Sequence, residues 1–271
     1  MSLRHSPTLA DHLCVYYARS GWRGLITLQR LLHRPVITTR TRYGAVLALH
    51  PGDYIDRIVL LEGYFESEVL EALRPYFSPD AVLWDIGANI GLHTVSAARL
   101  APGMRIHSFE PSPAIHARLL AHVGLNLAGA TCWPIALGDH DGTAVLHVNA
   151  SGNPGMTTLT PWAEAAYDRQ VEVRVARADT LVAGGEAPAP TLIKLDVEGG
   201  EAAVLAGLGS LLANPGLRAV VFETCAELMD NPARCPAARL LQSAGFTFAP
   251  LRRNEATGHH LQNFLATRPT P

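Results

Sequence analysis

Ten residues, Val82-Leu83-Trp84-Asp85-Ile86-Gly87-Ala88-Asn89-Ile90-Gly91, constrain this chain more than any other stretch. An apolar run ends in an acid and is followed by two glycines. Then comes Leu92-His93-Thr94-Val95-Ser96-Ala97-Ala98-Arg99-Leu100. The pattern reads as strand, tight turn, helix. Gly87 allows a turn where a Cβ would clash, and Gly91 allows a ligand or the helix to approach the strand. The helix N-terminus is then expected to offer free N–H groups above the carboxyl end of the strand, as in a nucleotide site of a parallel sheet.

The spacing narrows the ligand. A dinucleotide fingerprint needs G-x-G-x-x-G, and here the middle glycine is replaced: Gly87-x-Asn89-x-Gly91. A pyrophosphate needs closer backbone approach than Asn89 permits. The next strand, Met104 to Phe109, ends in Glu110-Pro111-Ser112. A carboxylate there accepts two hydrogen bonds and suits two ribose hydroxyls. Asp85 and Glu110 together favour a ligand with a ribose and a cationic amino-acid part and no phosphate. S-adenosylmethionine fits that description. The expected cofactor contacts are Asp85, Gly87, Asn89, Gly91, Glu110, Pro111, Ser112, Asp139 and Asp196.

Four blocks resemble one family. Asp85-Ile86-Gly87-Ala88-Asn89-Ile90-Gly91, Phe109-Glu110-Pro111, Ala136-Leu137-Gly138-Asp139 and Ile193-Lys194-Leu195-Asp196-Val197-Glu198-Gly199-x-Glu201 are similar to the FkbM-type methyltransferases. The similarity runs from about residue 60 to 268, and the Lys-x-Asp-Val-Glu-Gly-x-Glu block is its most specific part. The resemblance implies a class I, Rossmann-like α/β sheet. It implies S-adenosylmethionine as methyl donor and a hydroxyl acceptor on a sugar, natural product or other small molecule. It also implies that Asp139 sits near the adenine and that the segment around Tyr64, Phe65 and Glu66 lies beside the cofactor.

Composition bounds the rest. With 271 residues and 48% hydrophobic content, the chain can fill one large core and carry an N-terminal extension. A net charge of −2 gives no reason to expect nucleic acid or an anionic membrane as partner. Cys14, Cys132, Cys225 and Cys235 show no C-x-x-C spacing, so neither zinc nor a disulfide framework is expected, and a cytoplasmic setting follows. No apolar run is long enough to span a bilayer. Residues 1–61 read as an extension of two helices (from Ser6-Pro7, and over Trp22 to His33), a hairpin over Val36 to Leu49, and a short helix over Asp53 to Leu61. This extension is expected to be a cap or a homodimer surface. Residues 62–271 read as the methyltransferase domain, with a hairpin and loop inserted at about 139–178. The Gly/Pro/Ser/Thr-rich stretch 149–168 is assigned to acceptor binding. Phe246 to Leu251 and Gln262 to Thr267 read as a final strand pair, which places one antiparallel strand near the C-terminus of a mostly parallel sheet.

Methyl transfer to a hydroxyl requires in-line alignment and removal of a proton. Alignment contributes roughly 7–11 kcal/mol, against roughly 3–5 for general base catalysis. Period two puts Lys194 and Asp196 on one side of their strand, with Asp196 at its carboxyl end. Asp196 and Glu198 are the candidate bases. Glu66, Lys194, Glu223 and His93 are the candidate acceptor contacts. For Lys194 a structural ion pair competes with that role, for Glu201 a first-turn helix charge does, and for His93 an exposed helix face does. No ligand spacing calls for a metal, though Asp196, Glu198, Glu223 and His93 are the set that would hold one. The competing functional classes are a nicotinamide-dependent oxidoreductase and a non-catalytic domain of the same fold.

Overall fold

The computed structural model describes residues 8–9, 11–13, 15, 36–149, 157–161, 167–225, 234–251 and 261–268. The expected helix over Trp22 to His33 lies outside these residues, as do most of the helix from Ser6 and most of the 149–168 loop. Strand β1 (Ile37–Arg40) pairs antiparallel with β2 (Val46–Leu49) around Tyr43-Gly44, where Gly44 takes φ +80. Helix α1 (Tyr54–Glu62) follows, then α2 (Ser67–Leu73) with a 3-10 turn over Arg74–Tyr76.

The central unit begins with β3 (Val82–Ile86), α3 (Leu92–Leu100), β4 (Arg105–Phe109), α4 (Pro113–Asn126) and β5 (Ala130–Trp133). The stretch from Ala130 to Leu137, which reads from the sequence as one strand, is two strands. Pro134 has no N–H to continue the ladder, and β6 (Ala136–Leu137) leaves for a second, three-stranded sheet with β7 (Gly142–Asn149) and β8 (Tyr167–Ala176). A short helix the periodicity was too brief to reveal, α5 (Ala178–Ala183), leads back. The chain then runs through β9 (Leu192–Leu195), α6 (Glu201–Gly207), β10 (Ala219–Cys225), α7 (Pro236–Ser243), β11 (Thr247–Pro250) and β12 (Leu261–Thr267). The stretch from Glu201 to Ala213, which reads from the sequence as one helix, changes to 3-10 at Gly209.

The large sheet has the order β11-β12-β10-β9-β3-β4-β5. Its pairs are parallel except those of β12, which runs against both β10 and β11. Every residue of β3 is buried, as expected of a strand covered on both faces. Its side chains alternate: Val82, Trp84 and Ile86 join one core cluster with Phe109 and Phe222, while Leu83 joins the other with Ile106 and Val221. The front hairpin belongs to that second cluster through Ile37, Leu47 and Leu49. His122 of α4 ties it down. Its Nδ1 lies 2.7 Å from the carbonyl of Ile90, and its Nε2 accepts from the Ala48 N–H at 3.0 Å. The hairpin is thereby fixed to the turn after β3.

Candidate cofactor and acceptor site

The turn after β3 is shaped by two positive-φ glycines and one positive-φ asparagine, at φ +75, +85 and +50 for Gly87, Gly91 and Asn89. A Cβ on Gly87 would stand 1.8 Å from the backbone oxygen of Asp196. One on Gly91 would stand 2.5 Å from Leu119 Cδ1. The backbone N–H groups of the turn itself, ahead of the helix, are taken up within the protein. Gly87 and Ala88 donate to Phe109 O, Asn89 to Glu110 Oε2, Ile90 to Asn89 Oδ1, and Gly91 to Ala88 O. Five consecutive N–H groups, from Gly87 to Gly91, are consumed by the protein, one of them by the Glu110 carboxylate.

Glu110 is held as a fork. Oε2 accepts from Asn89 N at 3.0 Å and Oε1 from Ser112 N at 2.8 Å. Each oxygen keeps a lone pair for a ligand hydroxyl. Burial pushes this carboxyl up to about 7, although the two backbone donors pull the other way.

One cavity of about 480 Å³ runs over the carboxyl edge of the sheet. At one end it is lined by Gly87, Asn89, Glu110, Pro111 and Asp139, with Phe109, Ile135 and Leu137 as apolar walls. At the other end stand Glu66, Asp196, Glu198 and Glu223. Tyr54, Ile55 and Ile58 of α1, Arg42, and Thr157–Thr160 of the insert are also among its lining residues. Tyr64 and Phe65 also line it. Arg42 and α1 fall within the extension expected to be a cap or a homodimer surface, and Thr158 within the stretch assigned to acceptor binding, but nothing in their local pattern marks the individual residues.

Several expected contacts lie behind the cavity rather than in its lining. Asp85 is fully buried, and its Oδ2 accepts from Thr94 Oγ1 at 2.6 Å. Lys194 Nζ donates to Gly87 O at 2.8 Å and stands 3.2 Å from Asp196 Oδ2 and 3.7 Å from Asp85 Oδ1. Burial alone would lower its ammonium, yet Asp196, Asp85 and Glu66 hold it above the ordinary lysine value. Lys194 is thus an internal counter-ion that ties the turn to Asp196, the structural role weighed above. His93 is no exposed helix residue. Its Nδ1 lies 3.2 Å from the Tyr64 hydroxyl, and burial pushes its pKa down to about 3, so the imidazole is neutral. Gly91 and Ser112 shape the turn and the fork without lining the cavity. Glu201 Oε1 accepts from Val197 N and Gly199 N, bracing the loop around Glu198. Asp139 sits at the exposed mouth, 2.8 Å from His140 Nδ1.

The acidic end is electrostatically strained. Burial first, and then the neighbouring charge of Asp196, pushes Glu66 and Glu198 up to about 8 and Glu223 up to about 9. Glu66 is additionally hydrogen-bonded by Asn263 of β12. Carboxyls raised above their unfolded value stabilise the fold only while protonated. Their contribution is fully present below the ordinary glutamate range and is lost as pH rises through about 8–9. The melting temperature is therefore expected to fall between pH 6 and pH 9. Glu223→Gln, which keeps shape without charge, is expected to raise it at pH 8.5 by roughly 2–4 °C, equivalent to about 1 kcal/mol. Scanning calorimetry of both proteins across that range checks this. Among the described residues no cluster of His, Cys, Asp or Glu has metal-holding geometry.

The sheet order, the reversed β12 and the carboxylate-forked turn define a class I methyltransferase fold. The model of the methyltransferase FkbM domain matches residues 85–248. The chain belongs to that family and is one of its methyltransferases. The hexuronic acid methyltransferase AglP of Haloferax volcanii is 29% identical over 181 residues, 67% of this chain and 71% of that protein. The 31-O-demethyl-FK506 methyltransferase FkbM of Streptomyces tacrolimicus is 29% identical over 196 residues, covering 62% and 74%. Among solved structures, the O-methyltransferase from Bacillus cereus in complex with SAH matches with TM-score 0.44 at 12% identity, covering 74% of this chain and 79% of that one. No helix among the described residues is long and apolar enough to cross a membrane.

Proposed function

We propose that the protein transfers a methyl group from S-adenosylmethionine to a hydroxyl of a small-molecule or carbohydrate acceptor. The observation that carries this reading is the fully consumed turn beside a forked Glu110. The Glu110 carboxylate offers acceptors to ribose hydroxyls, while the backbone N–H groups of residues 87–91 are already taken and are not offered to a pyrophosphate. The same feature counts against a nicotinamide dinucleotide.

Gly87, Asn89, Glu110 and Pro111 would hold the ribose side, and Phe109, Ile135 and Leu137 the adenine, with Asp139 at the mouth. When bound, S-adenosylmethionine supplies a methyl group on a sulfonium leaving group. The chain's own residues align and deprotonate. Asp196, paired with Lys194, is the anionic orienting group for the acceptor hydroxyl. Glu198, pushed up to about 8, has a proton affinity suited to general base work near neutral pH. Glu66 and Glu223 accept hydrogen bonds from further acceptor hydroxyls. The segment before Glu62 acts as a cap, a reading supported by Arg42 and α1 among the residues that line the cavity. The names of the relatives, which include O-methyltransferases, support the hydroxyl acceptor.

Isothermal titration calorimetry with S-adenosylhomocysteine and with NADH tests the reading. Micromolar binding of the first and none of the second is expected. Binding of NADH without S-adenosylhomocysteine would defeat it.

A further inference from the structure

The insert reaches the acidic end at one point. Thr158 is 2% exposed, and its backbone exchanges two hydrogen bonds with His147 of β7, at 2.9 and 3.1 Å. Its hydroxyl donates to the carbonyl of Glu198 at 2.9 Å and accepts from Thr160 N at 2.9 Å. Glu198 holds φ +56, a left-handed conformation that costs a non-glycine residue on the order of 1 kcal/mol or more and persists only when its surroundings enforce it. Two restraints enforce it. From inside, Glu201 takes the N–H groups of Val197 and Gly199. From outside, Thr158 takes the Glu198 carbonyl.

We propose that Thr158 is a positioning residue for Glu198: its hydroxyl clamps the inserted sheet to the loop and keeps the Glu198 carboxyl aimed into the cavity. This rests on the reading of Glu198 as the group that takes the acceptor proton. Valine would fill the same buried space without the bond, so the hydroxyl is the part that matters. The clamp also makes the insert more than a wall. An acceptor pressing on Thr157–Thr160 bears on the segment that holds the base.

The test compares Thr158→Val and Thr158→Ser by carbon-13 NMR titration of the glutamate carboxyls, with the Glu198 resonance assigned by its loss in Glu198→Gln. In Thr158→Val the Glu198 midpoint is expected to drop by about one pH unit, as the carboxyl swings away from its acidic neighbours. In Thr158→Ser it is expected to stay within a few tenths. S-adenosylhomocysteine affinity should remain within about threefold in both, since the fork at Glu110 is untouched. An unchanged midpoint in Thr158→Val, or an equal drop in Thr158→Ser, overturns the proposal. Should Thr158→Val fail to fold, Thr158→Ala is read in its place by the same criteria. Failure of the wild-type protein to bind S-adenosylhomocysteine is a separate result, and it overturns the methyltransferase reading instead.

Discussion

Gly87→Ala is expected to abolish cofactor binding and to destabilise the fold. The added Cβ would lie 1.8 Å from the Asp196 carbonyl oxygen and 2.9 Å from its carbon, both backbone atoms that no side-chain rotation can clear. The residue also holds φ +75, which an L side chain adopts at a cost of roughly 1–2 kcal/mol. Relief requires β3 and the Asp196 loop to separate. That movement breaks the Lys194 link to Gly87 O and shifts Asp196 relative to Glu110, so both ends of the cavity lose their register together. Loss of at least about 3 kcal/mol of stability is expected, with S-adenosylhomocysteine binding below detection. Thermal melting and calorimetry on the same preparation check both parts. A variant that melts like the wild type and binds normally would show that the turn has slack the structure denies.

Glu110→Gln is expected to weaken S-adenosylhomocysteine binding by roughly 100-fold, about 3 kcal/mol, the scale of two hydrogen bonds to a charged group. Glutamine keeps the volume but presents one NH₂, which must face either the Asn89 N–H or the Ser112 N–H. The pH dependence separates this from simple misfolding. Because burial sets the free carboxyl near 7 and the proposed ribose contact needs it ionised, wild-type affinity should rise with pH up to about 7 and level off above. Below that value the loss approaches tenfold per pH unit. Glu110→Gln should show no such slope. Calorimetric titrations at pH 5.5, 6.5 and 7.5 decide it, and a pH-independent wild type would remove Glu110 from the ribose.

How far the sequence reaches depends on whether a constraint is local. The turn at Gly87 and Gly91 was legible because two glycines and an acid at fixed offsets express a backbone requirement directly. The carboxylate after β4 and the block from Lys194 to Glu201 were legible for the same reason, and the final strand was legible as one member of a C-terminal strand pair. The break at Pro134 was written in the chain yet overridden by the apolar run on either side. Asp85 and Lys194 were placed at the right strands but not at the right depth, because period two gives the side of a strand and not what lies over it. Glu66 carried no local sign of its partnership with Asn263. Thr158 carried none at all, since its meaning lies in a carbonyl forty residues away.

That pairing of Glu66 with Asn263 bears on how the molecule is made. A ribosome delivers the first long before the second, so the Glu110 half of the cleft, contributed by β3, β4 and the turn after β3, has its parts early. The opposite half must wait for β12 to slot between β10 and β11. Until it does, the nascent chain exposes unpaired edges on β10 and β11, and this interval is when chaperone capture or aggregation would most readily intervene.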